Sequence, residues 1–196
     1  KDELEKNLGT IARSGSQDFK ASNQNENIDI IGQFGVGFYS AFMVASKVTV
    51  VSRAEGSEEA WQWSSSGVEG YTLTEAEKPE VGTEITLVLK EDTETDKYSE
   101  YLDEYTISGL VKKYSDYIRY PITMYREKSR QKPKPEDAGD DYKPEYETYT
   151  ELETLNSMVP IWKRDKKDVK PEEYNEFYKS KFMDYSDPLR VITSRT

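Results

Sequence analysis

The stretch IIGQFGVGFYSAF, at residues 30–42, brings three glycines together and then becomes apolar and aromatic. Gly32, Gly35 and Gly37 supply unusual backbone angles and enough clearance for amide groups to converge on a phosphate. The segment FYSAFMVA, at residues 38–45, predicts a short buried helix whose first amides have no partner within the helix. The stretch lacks both the Walker lysine and the spacing of a dinucleotide fingerprint. The spacing alone therefore favours a tight loop between helix and sheet over a phosphate cradle.

Helices and antiparallel strands are predicted on both sides of this stretch. Residues 2–15 carry apolar side chains at helical intervals, with Gly9 inside the pattern and Gly15 after it. From residue 46 the apolar period changes to two, in four segments at 47–54, 59–65, 70–76 and 82–91. The short spacing of these segments predicts an antiparallel meander. A later apolar stripe predicts a helix that ends at Tyr120.

A run of charged residues with prolines, at residues 126–150, predicts a solvated linker. The linker would separate a first domain at residues 1–125 from a second at residues 151–196. The final segment, residues 187–196, has the pattern of a strand that opens a further structure. Because the second domain is too short to bury a core of its own, we expect the chain to be a fragment.

The second predicted domain begins with an apolar cluster and continues with a helix. Met158, Val159, Ile161 and Trp162 form the cluster, which is either a surface that contacts a partner or the core of that domain. The pattern leaves both interpretations open. Pro171 stands at an early position of the predicted helix, where its missing amide hydrogen is harmless.

Composition excludes several classes of function. The net charge of −11 over 196 residues disfavours nucleic acid as a partner. The longest apolar run is about half of what a membrane crossing needs. The chain has no Cys and no His, which excludes the common zinc sites and both Ser-His-Asp and Cys-His catalysis. Any chemistry must therefore use carboxylates, Lys, Arg, hydroxyls, backbone amides or a hard cation such as magnesium. These groups are typical of a nucleotide site and equally of a protein without catalytic activity.

Four separated blocks resemble the heat-shock protein 90 chaperone family, and in that family's order. They are NLGTIARSG at residues 7–15, IGQFGVGFYSAFMVA at 31–45, GTEITLVLK at 82–90 and PIWKRDKKDVKPEEYNEFYKS at 160–180. The short linker resembles the bacterial form of the family. The resemblance implies a two-layer α/β sandwich with an antiparallel sheet, the Bergerat (GHKL) ATP-binding fold of the α+β class. That fold would be incomplete at its amino terminus, and the first elements of an α/β middle domain would follow the linker.

The resemblance also implies a nucleotide site. Asn7 matches a position near the sugar and phosphates, and Arg13 matches a position usually held by Lys that approaches the terminal phosphate. Thr83 matches a hydroxyl near the adenine, and Gly9 and Gly15 match hinge points of a lid. The matching phosphate loop runs from Gly32 to Phe38, with donor amides at Gln33, Gly35, Val36, Gly37 and Phe38, and it includes Phe34. The implied cofactor is ATP with Mg²⁺. Without the resemblance, each of these residues is better explained as an ordinary helix, surface or strand residue.

The matching positions for catalysis are not among these residues. In the family, the carboxylate that activates water, the metal-binding Asn and the Asp that reads adenine all precede the lid segment. We therefore assign no catalytic residue and no metal ligand, and we expect that the chain by itself does not hydrolyse ATP. The resemblance implies a cytoplasmic, homodimeric chaperone whose partners are unfolded client proteins, with neither nucleic acid nor membrane. The alternatives are an acidic interaction module without enzymatic activity and another Bergerat-fold ATPase.

Overall fold

The computed structural model describes residues 1–10, 15–16, 19, 21, 31–32, 34–133 and 143–194. The chain forms two compact units, at residues 1–103 and 104–196. Both units combine helices with antiparallel strands, so the mixed α/β class expected from the sequence is confirmed. In the described part of the chain, no helix combines the length and the apolar composition that a membrane crossing requires.

The first unit places short helices against a four-stranded sheet. The helices that lie wholly in its described residues are α1 (Asp2–Leu8), a 3₁₀ helix (Gly37–Ser40) that continues into α2 (Ala41–Val44), and a later 3₁₀ helix (Tyr98–Leu102). Its strands are β1 (Ala45–Arg53), β2 (Ala60–Ser65), β3 (Tyr71–Ala76) and β4 (Gly82–Leu89). The strand order is β3-β2-β1-β4 and every neighbouring pair is antiparallel.

The strand order corrects the predicted meander. A meander would place β4 beside β3, whereas β4 pairs with β1 on its free edge. Pairing on both sides of β1 places its apolar residues at the centre of the sheet, and Val48 and Val50 are fully buried there. This burial is the physical reason for the order. If β1 lacked either neighbour, its apolar side chains would be exposed to solvent, which costs free energy in proportion to the exposed area.

The core of the first unit lies between this sheet and the helices. Its buried members are Ala45, Val48, Val50 and Trp63. The partly buried side chains packed on them come from α1, the segment after the glycines, and β3: Leu4, Leu8, Phe38, Ala41, Phe42 and Leu73. The predicted buried helix at residues 38–45 is therefore partly wrong. The helical segment packs on the core with one side only, and Met43 on it is 71% exposed. The helix also ends at Val44, because Ala45 adopts extended angles and begins β1.

In its described residues, the second unit contains two α-helices and a two-stranded sheet. The helices are α3 (Glu104–Tyr114) and α4 (Pro171–Phe182), with two 3₁₀ helices between them (Ile161–Lys163 and Lys166–Asp168). The strands β5 (Thr123–Gln131) and β6 (Tyr146–Thr154) pair in antiparallel fashion. The helix predicted from Pro171 is confirmed, and the helix predicted to reach Tyr120 ends earlier, at Tyr114. Residues 187–194 form no strand, so that prediction is wrong.

The predicted solvated linker at residues 126–150 is wrong where β5 and β6 occupy it. Opposite charges face each other across the two strands and pair in succession. Lys128 Nζ lies 2.9 Å from a Glu151 carboxylate oxygen, and Arg130 Nε lies 2.6 Å from one of Glu147. Such cross-strand ion pairs stabilise two paired strands. Composition alone does not show this pairing, so the same charges predict a solvated linker. The division of the chain into domains stays a prediction.

Candidate functional site

Two tyrosines hold the helix α1, one from the 3₁₀ helix Gly37–Ser40 and one from the strand β3. The hydroxyl of Tyr39 donates to the carbonyl of Leu8 at 3.1 Å, and the hydroxyl of Tyr71 donates to a carboxylate oxygen of Glu5 at 3.1 Å. Partial desolvation, together with the hydrogen bond to Glu5, raises the pKa of Tyr71 above its ordinary value. Tyr71 therefore stays a donor at neutral pH. These contacts fix the end of the helix on which Asn7 lies.

Gly9 is needed where α1 ends because the backbone passes very close to its neighbours. A Cβ at this position would lie 2.5 Å from the carbonyl oxygen of Glu5 and 2.9 Å from the ring of Tyr71. Real Cβ atoms do not approach other atoms so closely, so glycine is the residue that fits here. By contrast, a Cβ at Gly15 would meet only the side-chain amide of Asn7, at an ordinary 3.7 Å.

The glycine stretch lies on the surface with open space in front of it. Gly35 adopts a φ of 65°, a left-handed conformation that favours glycine. Among the described residues, no heavy atom lies within 4 Å of a Cβ placed at Gly32 or at Gly37. Phe34 and Val36, which alternate with these glycines, are exposed. The backbone is therefore accessible at Gly32 and Gly37, as a phosphate cradle requires.

Phe38 anchors the carboxyl-terminal end of the glycine stretch in the core. Its ring packs edge-to-face on Trp63, with 5.6 Å between the ring centroids. It makes similar contacts with Tyr39 and Phe42, at 5.7 Å and 6.4 Å. At the other end, the hydroxyl of Ser16 donates to the carbonyl of Gly32 at 2.5 Å. Both described ends of the stretch are thus held while its glycines remain accessible.

The edge strand β4 continues the core face of the sheet into an uncovered apolar floor. Ile85 lies opposite Val50 and Leu87 lies opposite Val48, so these four side chains share one face. The helices cover this face at Val50, which is 2% exposed, but leave Ile85 51% exposed. Thr83 lies on the same face at the start of β4, and its hydroxyl is 2.8 Å from that of Ser52. An apolar floor with a polar edge is the usual chemistry of a site for a planar ligand.

The structure describes most of the predicted site residues. Arg13 and Gln33 lie outside the described residues. Gly15 lies beside the side-chain amide of Asn7, and the hydroxyl of Ser16 donates a hydrogen bond to Gly32. Thr83 is hydrogen-bonded to Ser52 on β1 instead. The sequence did not indicate Ser52, because β4 was expected beside β3. Within the described ranges, no three acidic side chains are grouped as ligands for a metal ion. The roles assigned to all these residues stay predictions.

In the second unit, Trp162 both packs on other aromatic residues and faces solvent. It makes edge-to-face contacts with Tyr117 and Phe177, at 5.1 Å and 5.8 Å between ring centroids. The side chain is nevertheless 61% exposed, and Val159 is exposed as well. The two interpretations of this cluster, core and contact surface, therefore each describe one part of it.

The chain is similar to known proteins over almost its whole length. The family profile described as Hsp90 protein matches residues 100–145 and 135–195. A protein of Clostridium acetobutylicum named "Chaperone protein HtpG" is 55% identical over 195 residues, which are 99% of this chain and 30% of that protein. Proteins of the same name from Clostridium botulinum (strain Loch Maree / Type A3) and Shouchella clausii are 53% and 52% identical over 193 residues. Each match covers 98% of this chain and 30% of the relative.

The chain thus spans about 30% of the length of these relatives. Because the match to the C. acetobutylicum relative covers 99% of this chain, it includes the glycine stretch, the four-stranded sheet and the second unit. The 55% identity extends over 99% of the chain, and the family profile matches as well, so both comparisons indicate the same family. The chain belongs to the Hsp90 protein family.

Proposed function

We propose that the chain is part of an ATP-dependent molecular chaperone. The observation that carries this proposal is the 55% identity, over 99% of the chain, to a protein named as a chaperone. In this proposal residues 1–125 are the later part of a Bergerat-type ATP-binding domain, and residues 151–196 open the middle domain. Bound ATP closes a lid over the site and favours clamping of two protomers around a partly folded client protein. The whole protein acts in the cytoplasm as a homodimer.

The described residues fit a nucleotide in two places. The open space at Gly32 and Gly37 suits a row of phosphates, because glycines leave room for close approach and Gly35 turns the chain in the left-handed conformation. The floor of Ile85 and Leu87 suits the apolar face of a base, with the hydroxyl of Thr83 at its edge. ATP supplies a phosphoanhydride whose hydrolysis resets the clamp, and Mg²⁺ is the hard cation that phosphate oxygens bind.

The remaining predicted residues hold and enclose the nucleotide in this proposal. Asn7, fixed on α1, orients the sugar and phosphates, and Arg13 approaches the terminal phosphate as a fixed positive charge. Gly9 and Gly15 flank the lid segment and absorb its changes of backbone angle. Closure excludes water, which strengthens each polar contact made to the phosphates.

The proposal is tested by nucleotide binding in a full-length protein. In a chimaera, this chain replaces the matched 195-residue segment of the C. acetobutylicum relative. Titration with a fluorescent ATP analogue and Mg²⁺ gives the affinity, and circular dichroism verifies the fold. A folded chimaera that binds no analogue contradicts the proposal.

The phosphate loop is tested separately by filling its open space. Gly37→Val adds a side chain where no heavy atom lies within 4 Å, so we expect a normal fold and at least about a tenfold loss of affinity. Gly109→Val is the matched control, because Gly109 on α3 also has nothing within 4 Å and lies in the other unit. If both variants bind as well as the parent chimaera, the phosphates do not lie at Gly37.

A further inference from the structure

The hydroxyl pair of Ser52 and Thr83 joins β1 to β4 at the polar edge of the apolar floor. The two residues face each other in the strand register, and their oxygens are 2.8 Å apart. Ser52 follows Val48 and Val50 on the core face of β1 and is half-buried, whereas Thr83 is exposed. Thr83 is thus the member of the pair that a ligand on the floor can reach.

Ser52 determines what the hydroxyl of Thr83 can offer to a ligand. A hydroxyl group has one proton to donate and two lone pairs to accept, and its proton rotates freely unless a neighbour fixes it. The branched Cβ of threonine already restricts the position of the oxygen. The bond to Ser52 occupies one further hydrogen-bonding position, so the remaining donor and acceptor capacity of Thr83 has a defined direction.

We infer that Ser52 is a positioning residue that allows Thr83 to read the polar edge of a nucleobase lying on Ile85 and Leu87. This inference rests on the proposed function, since it needs a nucleotide in that site. The ligand class is a purine nucleotide whose base presents a donor and an acceptor side by side, with an apolar face for the floor. Ser52 itself does not touch the ligand and acts through Thr83.

A second hydroxyl pair in the same sheet provides a matched control. Thr49 and Ser64 also face each other across neighbouring strands, with 3.4 Å between their oxygens. Thr49 alternates with Val48 and Val50 and therefore lies on the opposite face of β1, away from the floor. Loss of Ser64's hydroxyl affects the sheet in a similar way but leaves Thr83 unchanged.

The experiment compares two nucleotides in the full-length chimaera. Calorimetric titrations with Mg²⁺ give the affinities for ATP and for purine riboside triphosphate, whose base lacks the exocyclic amino group. Ser52→Ala should reduce the preference for ATP roughly 2- to 10-fold, the range expected for one neutral hydrogen bond. Ser52→Thr keeps a hydroxyl at this position and should keep the parent's preference for ATP. Ser64→Ala should also bind with the parent's preference.

Each outcome decides the inference. An equal loss for both nucleotides in Ser52→Ala shows a purely structural role and overturns it, as does an unchanged preference. A parent chimaera that binds both nucleotides equally overturns the inference but leaves the proposed function standing. A parent that binds neither overturns both. If Ser52→Ala does not fold, Ser52→Cys, with nearly the same shape and a weak donor, carries the same comparison.

Discussion

Substitution of Asn156 should separate the two segments that flank the β5–β6 hairpin. This side chain is 5% exposed and makes three hydrogen bonds to backbone groups just before β5. Its amide nitrogen donates to the carbonyls of Ile118 and Tyr120, at 2.8 Å and 2.9 Å. Its amide oxygen accepts from the backbone nitrogen of Ile122 at 2.8 Å. One buried side chain thus connects residues 118–122 to the end of β6.

Asn156→Ala removes all three bonds and offers no replacement. At about 1 kcal/mol for each bond, the expected loss is about 3 kcal/mol in the free energy of unfolding of the second unit. The amide of Leu155 provides the assay, because it donates to the carbonyl of Ile122 and is independent of Asn156. Its hydrogen exchange, followed by NMR, should become roughly 100-fold faster, since about 1.4 kcal/mol corresponds to a tenfold change.

Two further variants sharpen the result. Asn156→Asp keeps the acceptor for Ile122 but places a carboxylate against two carbonyl oxygens, which raises the pKa of the new carboxyl group. Because that pKa is raised in the folded state, stability should be low at neutral pH and recover on acidification. Asn175→Ala, on α4, should change exchange little because alanine is a good helix former. If Leu155 exchanges within threefold of the parent rate in Asn156→Ala, the connection through Asn156 does not stabilise the hairpin.

Two other perturbations test separate parts of the structure. Burial alone would raise the pKa of Asp116, but hydrogen bonds from Ser157 and the Lys112 ammonium outweigh it and hold the pKa below its ordinary value. The ionised Asp116 therefore stabilises the fold above about pH 4, and this stabilisation should be lost as the pH falls further. In thermal unfolding experiments, Asp116→Asn should not show this decrease in stability. In the first unit, Gly9→Ala should destabilise by about 1–3 kcal/mol because its Cβ overlaps the backbone of Glu5. Gly15→Ala has room and should unfold thermally near the parent temperature, and equal effects of the two would contradict the close approach at Gly9.

The strands of the first unit were predictable from local sequence. The segments predicted at residues 59–65 and 82–91 correspond to β2 (Ala60–Ser65) and β4 (Gly82–Leu89). Alternation of apolar and polar residues marks a half-buried strand whatever its neighbours are. The order of the strands was not predictable in the same way. The pairing of β4 with β1 joins residues far apart in sequence, and it depends on which arrangement buries Val48 and Val50 most completely.

The hairpin and the partners of the candidate site were missed for a related reason. Charges in β5 and β6 indicate solvation when each strand is considered alone. Only their register reveals that Lys128, which lies opposite Tyr149, reaches Glu151 along the diagonal between the strands. Likewise, the family resemblance of residues 31–45 indicated the candidate phosphate loop, but nothing local indicated that Ser52 would meet Thr83. Sequence patterns report each residue's own environment, whereas these contacts depend on two distant positions at once.

Accessibility of the glycine stretch and its attachment to the core have different causes, and the proposed role needs both. Phe38 fixes one end because its ring packs against Trp63 in the core. Gly32 and Gly37 leave the adjacent space empty because they have no side chain to fill it. Donors that must first be ordered bind a ligand more weakly than donors already in place. In the proposed phosphate site, the aromatic residues after the glycines are therefore as necessary as the glycines themselves, and residues 30–42 place the two kinds of residue side by side.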